Sequence, residues 1–314
     1  MAISRRGLSP FVFFIILSLT FSQAWTQPAP PGAPENVTVT GTKSREVMRG
    51  FVQSFAAPAR LTGKMARWGE GICPVTVGVR PEFAKFINRR LKEVAAQAGA
   101  PVSERARCRT NVEIIFTTTP QDLLDNVRRK QPVFLGYHNS SQAEKLATVT
   151  HVIQAWYLTA TRDAHGAVQI DNPRPAGLIN KMEVPCDLCP GGKMDIYPPQ
   201  VAAVSGSRLG DGLRSEFYNV IIVADPTKLL TYEMGELSDY IAMLALTQVS
   251  SQDTCQQLPS ILNMLAEGCD RKAAALTEND LAYLHGLYKA APDQTLATQQ
   301  DQIGYQMEQE LKGR

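Results

Sequence analysis

Glu236 and Asp239 are the first residues whose types and spacing suggest chemistry. They stand three apart in "YEMGELSDYIAMLALT" (232–247), whose dense apolar pattern predicts a helix from about 232 to 249. Carboxylates at i and i+3 share a helix face. A neighbouring pair can hold two pKa values apart, so that one acts as acid and the other as base, as in glycoside cleavage. The second candidate is Cys186 with Cys189 in "VPCDLCPGG". Such a pair exchanges disulfides when a helix N-terminus lowers one thiol pKa. Pro185 precedes it and Pro-Gly-Gly follows, so a small looped disulfide is favoured over redox or metal-binding roles. The four histidines, His138, His151, His165 and His285, show no pair at metal-binding spacing. No Gly-x-Ser-x-Gly elbow, phosphate-binding loop or dinucleotide fingerprint is present.

The elements that must position these residues are legible in outline. Val47, Phe51 and Phe55 recur every four residues and predict an amphipathic helix. "KMARWGEGICPVTVGV" predicts two strands around a glycine turn. Pro81 opens a helix with Phe83, Ile87, Leu91 and Val94 on one face, and Gly99 ends it. "NVEIIFTTT" predicts a strand, and Pro120 opens a short helix. Residues 151–171 predict a hairpin turning at "DAHG", and residues 172–212 a long surface excursion. "SEFYNVIIVAD" predicts a strand stopped by Pro226. In "LTENDLAYLHGLY" (276–288), Thr277 and Asp280 form a capping box at the start of a helix. Strands and helices mix without strict alternation. The expected fold class is therefore α+β, a mixed sheet with packed helices.

The first residues indicate a compartment. Arg5 and Arg6 precede an apolar run from Phe11 to Phe21, and Ser22-Gln23-Ala24 suits a signal peptidase, so residues 1–24 are expected to be a cleaved signal. The run is too short to span a bilayer as a helix, which takes about 20 residues. Residues 25–43 are expected to be a flexible leader and 292–314 a polar tail forming a loosely held helix. Between them, 44–291 forms either one domain or two lobes, 44–150 and 151–291. Six cysteines in an exported chain point to three disulfides: Cys73–Cys108, Cys186–Cys189 and Cys255–Cys269. The expected location is periplasmic or secreted.

Charge excludes some partners. The net charge is +2, and Arg5 and Arg6 supply all of it, so no global basic field points to nucleic acid. Its distribution is uneven: residues 25–150 carry 18 basic and 10 acidic side chains, residues 151–314 carry 12 and 20. Either the two halves neutralise each other, or "NRRLK", "ERARCR" and "VRRK" make a basic patch for an acidic surface.

With Glu236 aligned on the glutamate of a zinc-protease helix, HExxHxxGxxH, the other positions read Gly235, Asp239, Ala242 and Ala245. The strand before this helix and the closing "LTENDLAYLHGLY", similar to the matrixin-like LTxxDxxxLxxLY, make the region 215–289 resemble the C-terminal half of a metzincin-type metalloprotease. It also resembles a group of exported bacterial proteins with protease-like tails. No Met-turn is identifiable; Met264 lies in the right interval in a helical setting. The resemblance implies the protease frame without its zinc ligands, a pseudo-metalloprotease in which Glu236 and Asp239 are vestigial. No metal or cofactor is expected, and the partner is an unspecified protein or envelope polymer. Two alternatives stay open: a metal-independent hydrolase using Glu236 and Asp239, and a thiol-disulfide protein using Cys186 and Cys189.

Overall fold

Proline at the start and glycine at the end delimit the helix on which the first half of the chain is organised. The computed structural model describes residues 42–55, 57–105, 107–136, 140–171, 182–185, 193–196, 203, 210–270 and 272–312. After α1 (Thr42–Phe55) come β1 (Pro74–Val77) and α2 (Pro81–Ala98). Pro81 sits in the first turn of α2, and Gly99 closes it at φ 80°, a left-handed conformation that glycine adopts without a side-chain clash. The chain continues through β2 (Val112–Phe116), α3 (Pro120–Lys130) and α4 (Ser140–Leu146). A hairpin of β3 (Ile153–Arg162) and β4 (Val168–Ile170) follows. Then come β5 (Met182–Pro185), β6 (Lys193–Ile196), β7 (Arg214–Ala224), α5 (Met234–Leu246), α6 (Glu278–Lys289) and α7 (Leu296–Lys312).

The main sheet has the order β1-β2-β7-β3-β4. β1, β2 and β7 run parallel; β3 is antiparallel to β7, and β4 to β3. β5 and β6 form a separate antiparallel pair. The fold class is thus α+β, with a five-stranded mixed sheet and seven α-helices among the described residues. β7, from the second half of the chain, lies between β2 and β3 from the first half and the hairpin. Two separate lobes are therefore not present in this sheet.

Both faces of the central strands are covered, which explains the unbroken apolar run of β7. Val220, Ile222 and Ala224 face a large core with Val112, Ile114 and Phe116, built against α1, α2, α5, α6 and α7. Ile221 and Val223 alternate to the other face and meet Trp156, Leu124 and Leu135.

Three expectations are corrected. Residues 64–73 hold no regular strand before β1; they make only isolated bridges, among them Arg67 to Glu216 and Ile72 to Val102. Gly69 lies against the Glu216 carboxyl, where a Cβ would stand 2.3 Å from the nearest side-chain atom, so the glycine marks a close approach and not a hairpin turn. The 232–249 helix is shorter, Met234–Leu246. Finally, the helix expected within 292–314 is present as α7, but it is not loosely held. Ile303 and Met307 of α7, one turn apart, are fully buried against the core, and Gln299 takes the Met65 N–H at 2.8 Å. The expected signal, the leader up to residue 41, most of the 172–212 excursion and the pair Cys186 and Cys189 lie outside the described residues. Among the described residues, no helix is long and apolar enough to cross a membrane.

Candidate functional site

α5 is the element that carries Glu236 and Asp239, and its burial follows from its composition. Every residue from Leu237 to Leu246 is buried. Each large apolar side chain removed from water on this helix contributes about 1.5–3 kcal/mol. The last carbonyls of a helix have no partner within it. Here three aromatic residues supply donors: Tyr157 Oη to Leu244 O at 2.9 Å, Trp68 Nε1 to Ala245 O at 2.8 Å, and Tyr288 Oη to Leu246 O at 3.1 Å. Burial pushes the pKa values of Tyr157 and Tyr288 well above the ordinary phenol value, so both remain donors.

At the other end, Glu236 and Asp239 line one open depression of about 350 Å³ with Phe86, Arg89 and Arg90 of α2. The two acids have different roles. The Glu236 carboxylate accepts the backbone N–H of Glu233 at 3.1 Å, which ties down the first turn of α5. Asp239 is 3 % exposed. Its Oδ1 accepts Arg90 Nε at 2.6 Å, and its Oδ2 accepts Arg90 Nη2 at 3.2 Å and the Leu276 N–H at 2.9 Å. This is a bidentate guanidinium–carboxylate pair, among the stronger charge-assisted contacts. The hydrogen bond to Asp239 also raises the pKa of Arg90 above its ordinary value. Asp239 thus joins α5, α2 and the chain entering α6.

The other positions of the zinc-helix alignment sit differently. Gly235 is at the exposed N-terminal turn, whereas Ala242 and Ala245 are completely buried among core side chains. The described histidines are dispersed. His285 on α6 bonds Glu310 at 2.8 Å and Gln97 O at 2.6 Å, and His151 bonds Asp253 at 2.9 Å. His165 lies in the β3–β4 turn, and His138 is outside the described residues. Among the described residues, no three His, Cys, Asp or Glu side chains are grouped as metal ligands.

The α6 capping box forms as expected. Thr277 Oγ1 accepts the Asp280 N–H at 3.1 Å, and Asp280 Oδ2 accepts the Thr277 N–H at 2.9 Å. Asp280 does more than cap. It also accepts Ser260 Oγ at 2.6 Å and the Ile261 N–H at 2.9 Å, which fastens the buried 3-10 turn Ile261–Met264 to α6. Met264 therefore lies in a 3-10 turn and not in an α-helix. The disulfides Cys73–Cys108 and Cys255–Cys269 are both present.

Part of the charge asymmetry is met inside the chain. Arg49 meets Asp301 at 2.6 Å, Arg45 meets Glu308 at 3.3 Å, Arg90 meets Asp239, and Lys64 meets Asp211. Arg90 is the residue that sequence reasoning misplaced; it belonged to "NRRLK", set off the apolar face, and it is the partner of the candidate acid. Comparison with known protein families, curated proteins and solved structures finds no match to the chain.

Proposed function

We propose that this chain is an exported, non-catalytic binding or scaffolding protein of the cell envelope, on a metzincin-like frame whose metal site has degenerated. One observation carries the reading. Both oxygens of Asp239 are engaged by Arg90 and the Leu276 amide, so the best-placed second carboxylate is part of the framework. A catalytic zinc takes three protein ligands and keeps one open position for water. On α5, two of the positions that would face it are the buried alanines 242 and 245. Glu236, whose carboxylate ties down the first turn of α5, lacks the flanking histidines that would hold a water-activating zinc beside it, and so supplies no hydrolytic mechanism by itself. The order β7 then α5, closed by the capped α6, is the element sequence that the metzincin resemblance implies. Two disulfides suit an oxidising compartment.

The test uses the mature chain, purified without a metal-binding tag. Metal content is measured by mass spectrometry beside cleavage of a mixed peptide library. The expected result is no stoichiometric zinc and no cleavage. One zinc per chain, with a chelator-sensitive activity that Glu236→Ala abolishes, would overturn the proposal.

A further inference from the structure

The segment "ERARCR" brings three arginines to one groove. We propose that the groove beside the Cys73–Cys108 disulfide is an oxyanion-binding site, and that its ligand is a compact multivalent phosphate or carboxylate held by Arg105, Arg107 and Arg109. This rests on the binding-protein reading above and gives it a place and a ligand class.

The groove has a volume of about 780 Å³, within the range of small-molecule sites. The three arginines of "ERARCR" line it together with Tyr218 and Arg162. Arg105 and Arg107 are exposed and make no ion pair or hydrogen bond among the described residues, unlike Arg45, Arg49, Lys64 and Arg90, which form long-range ion pairs within the chain. Their segment is anchored at Cys108 and Asn111 to residues 71–73. Cys108 is bonded to Cys73, and the Asn111 side chain accepts the Cys73 N–H at 2.7 Å and donates to Gly71 O at 3.1 Å. Arg109 lies over the Tyr218 ring at 5.0 Å, which fixes its orientation through a cation–π contact.

The floor is not negative enough to occupy these cations. The Glu216 carboxylate is matched by two guanidinium groups, Arg162 and Arg214, each at 2.8 Å. Glu70 reaches Arg162 at 3.5 Å. That leaves Glu104 as the acid opposing three arginines. A guanidinium presents a planar fork of donors that suits phosphate or carboxylate oxygens two at a time. The remaining acids on the rim disfavour a long polyanion, which would have to pass Glu70 and Glu104, and favour a short ligand. Anchoring lowers the cost of ordering the arginines on binding.

The experiment is isothermal titration of the full mature chain at low ionic strength with inorganic pyrophosphate and, separately, with citrate. Saturable one-to-one binding of either is expected, with a Kd below about 1 mM. Pyrophosphate alone would identify a phosphate ligand, and citrate alone a carboxylate. The double variant Arg105→Gln/Arg107→Gln should bind roughly tenfold or more weakly, since two charge-assisted contacts are lost. A control variant, Arg60→Gln/Lys272→Gln, removes two charges elsewhere and should bind as the parent does. Thermal melts check that all variants fold. No saturable binding of either anion, or equal binding by the groove variant and the parent, would overturn the proposal. Zinc-dependent peptide cleavage would instead overturn the non-catalytic reading, whatever the titrations show.

Discussion

Replacing Asp239 with alanine should destabilise the protein far more than replacing Glu236 with glutamine. Asp239 is buried and holds Arg90 through two hydrogen bonds and Leu276 through a third. Breaking a fully buried ion pair by removing one partner costs about 3–5 kcal/mol. Arg90 keeps 30 % of its side chain exposed and has Glu93 at 3.8 Å, so it can rehydrate, which lowers the figure to about 2–3 kcal/mol. The stranded Leu276 amide adds about 1 kcal/mol. Alanine's better helix propensity returns about 0.6 kcal/mol. The net expectation is roughly 2–4 kcal/mol. Asp239→Asn, which keeps an acceptor, should cost about 1–2 kcal/mol. Glu236→Gln should stay within about 0.5 kcal/mol, because its carboxylate sits at a partly exposed first turn. Urea midpoints followed by far-UV circular dichroism measure all three. A double-mutant cycle with Arg90→Ala isolates the pair and should return a coupling of about 1–3 kcal/mol. A neutral or stabilised Asp239→Ala would mean that the carboxylate is held at a cost, as functional groups often are. The non-catalytic reading would then lose its main support.

Two further outcomes follow from the C-terminal helix. Ile303→Ala and Met307→Ala should each cost about 2–5 kcal/mol, since both side chains are fully buried between α7 and the core; near-neutral urea midpoints would restore the loose-tail description. The Lys312 hydrogen bond, with Arg45, lowers the pKa of the Glu308 carboxyl, so its stabilisation is present above the ordinary glutamate pKa and is lost as pH falls through the lowered folded value. Glu308→Gln should therefore remove part of the acid limb of the stability–pH profile below that ordinary value, and an unchanged acid limb would count against the pairing.

What the sequence determined by itself was local. Pro81 and Gly99 bound α2 because each acts on its own dihedral angles. The Thr277–Asp280 box forms within a single turn. The apolar run Val220–Ala224 of β7 is a property of consecutive residues, and Cys255–Cys269 closes across fourteen. Tertiary structure decided the rest. β7 enters the sheet between β2 and β3, a pairing that no short window encodes. Asp239 looked like half of a catalytic pair until the fold brought Arg90 to it from 149 residues away. α7 read as polar because glutamines surround Ile303 and Met307; two apolar residues per stripe suffice only when a core is already there to receive them. The basic segments of the first half carried similar charge, yet Arg45, Arg49, Lys64 and Arg90 met acids from the second half when the chain closed. Only the fold could show which cations, Arg105 and Arg107 among them, stay without such a partner, because ion pairing depends on which surfaces meet, and that is settled by the burial of apolar faces far along the chain from the charges themselves.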